Sequence, residues 1–172
     1  TKGLQTNDGR VLGAIQMDDW IQFVSTSAHG SNVNAGIYHG FISNAQGAEP
    51  KVTARVFAHP VRDYGYPNIT WSGVHPNQIQ CLIGFNFTSI DGHPGMGAVQ
   101  LGNDTTFSNP IDLINGTTHV DRHSDSYERW GDYFAVQPMF DENGMLIPSE
   151  AWMAGFYGDG PQQNRTFISQ VF

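Results

Sequence analysis

The chain has 172 residues, a formal net charge of -8, and 39% hydrophobic against 14% charged residues. This composition excludes a disordered chain, and the length predicts a single domain over residues 1–172 with a sizeable core. With only 8 basic residues the chain has little to neutralise phosphates, so we expect no nucleic-acid partner and no attraction to anionic membranes.

The single cysteine, Cys81, lies in an apolar stretch and is predicted to be a small core residue. One thiol allows neither an internal disulfide nor a thiol-rich zinc site, and we expect no cofactor. No apolar run approaches the roughly 18 residues of a membrane span, and no signal peptide opens the chain, so membrane insertion is not expected. Because the chain starts without Met, we expect it to be a fragment of something longer.

Apolar residues recur with a period of two or in short bursts, which predicts β-strands. In chain order the predicted strands are residues 11–16, 20–24, 36–42, 51–57, 78–88, 97–101, 133–137 and 166–172. Clusters of Asn, Asp and Gly separate them and predict turns. The pattern indicates an all-β fold, an antiparallel β-barrel or sandwich with long surface loops. Residues 103–130 are the least regular and are predicted to form loops around a short strand.

One short helix is predicted near the C-terminus, over residues 148–157. Ser149 would cap its first turn, and Trp152 and Phe156, four residues apart, would form its buried stripe. Trp152 and Trp20 are both expected to lie in the core rather than at a binding surface.

Five Asn-X-Ser/Thr sequons occur in the chain, at Asn68, Asn86, Asn103, Asn115 and Asn164. Each one alone is weak evidence, because the tripeptide arises by chance and glycosylation also requires a secretory route. Two interpretations stay open: polar turn residues that carry no sugar, or glycosylation sites of a secreted protein.

The most reactive-looking segment runs from His119 to Ser126. On a strand, His119, Asp121 and His123 would share one face, where a metal ion would need a further ligand from elsewhere. His123 beside Ser124, with an Asp nearby, would supply the parts of a Ser-His-Asp triad. The third interpretation is a solvated polar loop that contacts a ligand, and it is the one we favour, so neither a metal site nor a catalytic site is expected.

Two acidic pairs, Asp18–Asp19 and Asp141–Glu142, have the composition of a general acid and base. They would act as such only if their separation and burial drove their pKa values apart. Nothing in the surrounding sequence indicates burial, so both pairs are predicted to lie in exposed turns.

Aromatic residues next to amide and imidazole groups occur at residues 64–66, 71–77 and 127–130. Sugar sites on β folds combine such groups, because a ring stacks on the pyranose face while polar side chains bind the hydroxyls. The alternative is an aromatic residue in the core. The predicted ligand-binding residues are Trp71 for stacking and, for hydrogen bonding, His75, Asn77, Gln80, His119, Asp121 and His123.

The order of these motifs resembles the protruding domain of a calicivirus major capsid protein, most nearly the norovirus type, or that of a related small non-enveloped virus. Residues 7–13 resemble the family's Asn-Gly-Arg and Leu-Gly turn, and residues 64–68 are similar to its Gly-aromatic-Pro-Asp turn. Trp71 and His75 fall near an aromatic and histidine pair that some members use for glycan contact. Residues 146–152 resemble the family's Leu-Pro-Gln-Glu before an aromatic helix.

The resemblance implies a structural protein and not an enzyme: a spike domain on the virion surface, assembled in the host cytoplasm as a homodimer. Its outer loops would bind a host receptor or a cell-surface glycan, and its sequons would stay unused. Two alternatives remain open. One is a secreted or cellular carbohydrate-binding module, which would use the sequons if it is secreted. The other is a hydrolase, which would use His123 with Ser124 or Asp141.

Overall fold

The computed structural model describes residues 3–6, 8–29, 34–121, 127–128, 130–161 and 163–171. Within these ranges every regular element is a β-strand, and no helix occurs. The strands are β1 (Gly3–Leu4), β2 (Val11–Met17), β3 (Trp20–His29), β4 (Asn34–Ser43), β5 (Lys51–Phe57), β6 (Arg62–Trp71), β7 (Cys81–Ser89), β8 (Gly95–Leu101), β9 (Ile111–Ile114), β10 (Tyr127–Glu128), β11 (Ala135–Phe140), β12 (Leu146–Asp159) and β13 (Gln163–Val171).

Three antiparallel sheets carry the fold, with the strand orders β2-β3-β4-β5, β6-β7-β8-β9 and β11-β12-β13. A short parallel pair, β1 with β10, adds a fourth small sheet. The prediction of an antiparallel all-β chain is confirmed. Of the two architectures expected, barrel or sandwich, the barrel is wrong, because within the described ranges each sheet ends in edge strands and none closes on itself. The same ranges contain no apolar helix of membrane-spanning length.

The sheet β6–β9 lies between the other two because both of its faces are apolar. The first seven residues of β7 are all buried, which is typical of a strand that is covered on both sides. Alternate residues of β7 point to opposite faces: Ile83 and Phe85 point to one core, and Leu82 points to the other.

The first core is formed by the sheet β2–β5 against the central sheet. Val24 and Ile37 pack there on a group of rings in which Tyr64 lies 4.5 Å from Phe85, measured between centroids. Cys81 is fully buried in this core, so its prediction as a core residue is confirmed.

The second core is formed by the sheet β11–β13 against the opposite face of the central sheet. Met96 and Ala98 from β8 meet Val136 and Met153 there. The Phe134 ring packs against Gly84 of β7, where an added Cβ would collide with Cε1 of the ring.

The predicted helix over residues 148–157 is wrong, since these residues belong to β12. β12 pairs with β11 on one side and β13 on the other, and this pairing overrides the local helix signal. Trp152 and Phe156 also fit a period of two, and both point away from the second core. Ser149 caps nothing: its φ is 65° and its hydroxyl donates to the carbonyl of Ser72 at 3.3 Å.

Two further expectations about aromatic residues are corrected. Residues 64–66 lie within β6, where Tyr64 and Tyr66 are core residues and not sugar contacts. A register irregularity between Gly65 and Asn68 accommodates Pro67, which explains why the stretch has the sequence of a turn. Trp20 is buried as expected, whereas Trp152 is 46% exposed.

Candidate functional site

Four of the seven predicted ligand residues lie on one loop, residues 71–80, which joins β6 to β7 at one end of the central sheet. We call it the Trp71 loop. His75 and Asn77 are exposed at its tip, while Trp71 and Gln80 at its base are half-buried.

The Trp71 loop is held in shape by the side chain of Gln78. Its Oε1 accepts hydrogen bonds from the backbone N–H groups of Val74, at 2.6 Å, and His75, at 2.9 Å. The N–H of Gln78 in turn donates to the carbonyl of His75 at 2.8 Å. These bonds fix the tip, so its exposed side chains project from an ordered backbone.

Two distant side chains anchor the end of the loop at Ile79. The N–H of Ile79 donates to Oδ1 of Asn103 at 2.9 Å, and its carbonyl accepts from Nε2 of Gln22 at 2.7 Å. The backbone N–H and C=O groups of Ile79 are therefore both bound to other parts of the fold.

Gln22 also organises a buried polar cluster with His39 and Cys81. Nε2 of His39 donates to Oε1 of Gln22 at 2.7 Å, and the Cys81 thiol donates to the same oxygen at 3.4 Å. Burial and the nearby Arg55 lower the pKa of His39 to about 4, and burial raises the pKa of Cys81. The pair has the composition of a Cys-His catalytic dyad, but Gln22 separates the two groups and both stay uncharged, so the cluster is structural.

Trp71 combines a structural and an exposed role. Its Nε1 donates to the carbonyl of Gln78 at 2.9 Å, and Gly73 packs against the ring so closely that an added Cβ would lie 2.8 Å from Cε2. The remaining part of the indole faces a groove between β2 and β11.

This groove has a volume of about 540 Å³. Its floor is β6 and its walls are β2 and β11, each the edge strand of its own sheet. We call it the β2–β11 groove; its lining residues are Gly13, Ala14, Ile15, Gln16, Met17, Asn68, Ile69, Thr70, Trp71, Val136, Gln137, Pro138, Phe140 and Leu146.

Asn68 closes one end of the β2–β11 groove. Its Nδ2 donates to the carbonyl of Phe134, just before β11, at 3.0 Å. Its Oδ1 accepts the N–H of Ile69 at 2.8 Å and lies against Gly13 of β2. Because β2 and β11 both start at this end, both finish at the open end, beside Trp71.

The open end is acidic. Asp18 and Asp19 directly follow β2, and Asp141 and Glu142 directly follow β11. Asp18, Asp141 and Glu142 are exposed, as predicted, and Asp19 is half-buried. Hydrogen bonds from the backbone N–H groups of Met145 and Asn143 lower the pKa of Asp141 and keep it ionised.

The other predicted ligand residues lie elsewhere. His119 and Asp121 are exposed, and they follow a segment in which Thr117 donates to the carbonyl of Gly158, beside the start of β8. The Trp71 loop lies at the opposite end of β7, about 25 Å away along the strand. His123 is outside the described residues. The seven predicted residues therefore do not form one site.

Chemistry based on the His119 segment finds no support in the described ranges. Residues 119–121 are not in a strand, and no three His, Cys, Asp or Glu side chains converge there or elsewhere in the described structure. Ser124 lies outside these ranges with His123, and the Asp141 carboxylate is occupied by its own turn.

The chain matches no protein-family model, no curated protein and no solved structure.

The sequence patterns missed two residues that hold the Trp71 loop, Gln22 and Gln78, because their side chains bind backbone groups. Gln22 is 57 positions away from its partner Ile79, so no local pattern indicates it. Gln78 lies within the predicted stretch, but only the folded turn shows what it binds.

Proposed function

We propose that this chain is an attachment domain, a displayed β-sandwich that binds a host receptor or a cell-surface glycan through the Trp71 loop. The observation that supports it best is the fixed shape of the loop, in which hydrogen bonds to Gln78 and Ile79 hold an exposed polar tip beside an aromatic ring. Such preorganisation lowers the entropy cost of binding.

The chemistry of the loop suits a polyhydroxylated ligand. The His75 ring and the Asn77 amide are exposed side chains that donate and accept hydrogen bonds, and Trp71 offers a flat apolar surface. A site of this size on an open surface binds weakly, so useful affinity requires many copies on one particle. Multivalent display is therefore part of the proposal.

The proposed setting is a viral capsid, in which the domain is a dimeric spike exposed on the virion and assembled in the host cytoplasm. The motifs at residues 7–13, 64–68 and 146–152 that resemble calicivirus protruding domains support this setting, and so does the antiparallel all-β fold.

The proposal is tested with a glycan array and a panel of receptor-bearing cells, using the protein displayed on nanoparticles. We expect specific binding that falls at least tenfold in the double variant His75→Ala/Asn77→Ala. Both residues are exposed, so the thermal transition should not move. His93→Ala, an exposed histidine outside the loop, is the matched control. Binding that survives the double variant unchanged would refute the loop as the recognition surface.

A secreted carbohydrate-binding module is the second candidate, because Asn103, Asn115 and Asn164 are sequons with exposed asparagines. This candidate would bind its ligand through the same Trp71 loop but would be secreted rather than assembled in the cytoplasm. Glycan chains on the protein isolated from its natural source would decide for this candidate, and their absence would count against it.

A further inference from the structure

The β2–β11 groove is flanked by two unpaired strand edges. We propose that it binds an extended peptide with a basic residue at one end, which adds to the sheet as a fifth strand alongside β2. This inference concerns the open edge of β2 rather than the exposed tip of the Trp71 loop; the two surfaces share the Trp71 ring, but strand pairing with β2 does not depend on what the tip binds.

The backbone of β2 offers hydrogen bonds to such a strand. Met17 and Trp20 pair directly across the two-residue turn of the β2–β3 hairpin. In this kind of hairpin the closing pair is hydrogen-bonded and the pattern alternates from there, so Ile15 also bonds to β3. The N–H and C=O groups of Ala14 and Gln16 therefore point away from β3, toward the groove. Among the described strands, none pairs with this side of β2.

The opposite wall cannot serve equally well. β11 is also an edge strand, but Pro138 lies in it and has no N–H to donate. The register of β11 also shifts between Pro138 and Met139, which interrupts a continuous ladder. The floor strand β6 is an edge strand too, but the N–H of Ile69 is already bound by Oδ1 of Asn68. Of the strands around the groove, β2 is therefore the one with which an added strand pairs, and such a strand meets β11 through side chains.

The walls and floor suit the alternating side chains of an extended peptide. Ile15 and Met17 from β2, with Val136 and Phe140 from β11, provide apolar surface. Phe140 is 57% exposed, which is a large exposed fraction for an aromatic residue. The volume of about 540 Å³ is within the usual range for ligand pockets.

Charge selects the peptide and its direction. Asp18 directly follows β2 and Glu142 lies two residues after β11, and both are exposed at this end of the groove. The Asp19 and Asp141 carboxylates accept hydrogen bonds from nearby backbone N–H groups but keep their negative charge there, and the whole chain carries a net charge of -8. A lysine or arginine at one end of the peptide would be attracted to this mouth, and the attraction would weaken with added salt.

The test starts from a displayed library of random 12-residue linear peptides, selected on the intact protein. We expect enriched peptides to alternate apolar and polar residues and to carry Lys or Arg near one end. Synthetic, fluorescently labelled copies of the enriched peptides then serve as probes in anisotropy titrations. If no peptide is enriched over background, the proposal is wrong.

The decisive variant is Ala14→Pro. Because the N–H of Ala14 does not bond to β3, proline at this edge position leaves the hairpin ladder intact but removes a donor to the peptide. We expect the affinity of the probes to fall at least tenfold, whereas Ala14→Thr, which keeps the N–H, should bind normally. Equal affinity of native and Ala14→Pro protein would overturn strand addition, and so would a glycan that competes for the groove while no peptide does.

A charge variant keeps the test valid if Ala14→Pro fails to fold. Glu142→Gln removes one exposed carboxylate at the mouth, and Asp91→Asn removes one from an exposed turn elsewhere. We expect Glu142→Gln to weaken basic probes about threefold at low salt, with the difference lost at high salt, and Asp91→Asn to have no such effect. Identical salt dependence in both variants would contradict the proposed orientation of the peptide.

Discussion

His39 is the clearest case of a single residue whose burial makes the stability of the protein depend on pH. It is 1% exposed, and its pKa is lowered to about 4 from the usual 6.5 because the charged ring would lose its hydration and lie near Arg55. The unfolded chain therefore binds more protons than the folded chain between these two values. Stability is complete above about pH 6.5 and falls as the pH drops toward 4.

Because its pKa falls from 6.5 to about 4 on folding, we expect His39 to lower the free energy of unfolding by about 3 kcal/mol between pH 6.5 and pH 4. Urea unfolding at half-unit pH steps measures it. His39→Gln, which cannot be protonated, should flatten the curve between pH 6.5 and 4, whereas His75→Gln, at an exposed site, should not. An unchanged slope in His39→Gln would show that another group controls acid stability.

The sequons divide into two classes by the environment of their asparagines. The Asn86 side chain is 1% exposed; its Nδ2 donates to the carbonyl of Gly131 and its Oδ1 accepts the N–H of Phe156, each at 3.2 Å. Asn68 holds the closed end of the groove. Neither amide nitrogen has room for a sugar.

If the chain is expressed through a secretory pathway, folded protein should carry glycans only at Asn103, Asn115 or Asn164. Enzymatic deglycosylation followed by peptide mass spectrometry locates the modified sites. Gln substitution at Asn164 should leave the fold unchanged, whereas Asn86→Gln should destabilise it by about 1–3 kcal/mol, because two buried backbone groups lose well-placed partners. A glycan at Asn86 in folded protein would contradict the structure.

Among the elements, β12 gives the sharpest test, because a helix and a strand predict opposite changes in stability for one substitution at Gly155. In a helix, Gly155→Ala would stabilise the protein by about 1 kcal/mol. In β12, a Cβ at this position would lie 2.5 Å from Cε2 of Phe134 and 2.9 Å from Sδ of Met96. We therefore expect a loss of about 1–3 kcal/mol in chemical denaturation. Gly9→Ala, at an exposed position with open space, should be nearly neutral.

Most elements could be predicted from period-two patterns, as the close agreement at β2, β5 and β8 shows. β12 was missed because Trp152 and Phe156 satisfy both a period of two and a spacing of four, and only pairing with β11 and β13 decides between them. β6 was missed because the bulge at Pro67 interrupts its pattern. The candidate loop could be located from its composition, but its hydrogen bonds to distant residues could not.

At the scale of the whole molecule, the central sheet is covered on both faces. Two neighbouring residues of β7, one facing each core, allow the packing on each face to be tested. Ile83 faces the core shared with β2–β5, and Leu82 faces the core shared with β11–β13. In a sheet with one solvent face, only one of two adjacent residues would be important.

We expect Leu82→Ala and Ile83→Ala each to cost about 2–5 kcal/mol in equilibrium unfolding, because each leaves a cavity in a packed layer. Surface Val52→Ala on β5, at a 61% exposed position, is the control and should change little. A negligible effect of either core variant would mean that its side of the sheet is not a packed layer.

The burial of Cys81 makes its reaction with a thiol reagent a measure of how often the first core opens. It is the single thiol of the chain and is completely enclosed beneath Gln22 and the first sheet. A thiol reagent can reach it only when this core opens, so at reagent concentrations where labelling is faster than reclosing, the labelling rate in native buffer equals the rate of opening. No engineered label is needed to learn how often this interior meets water.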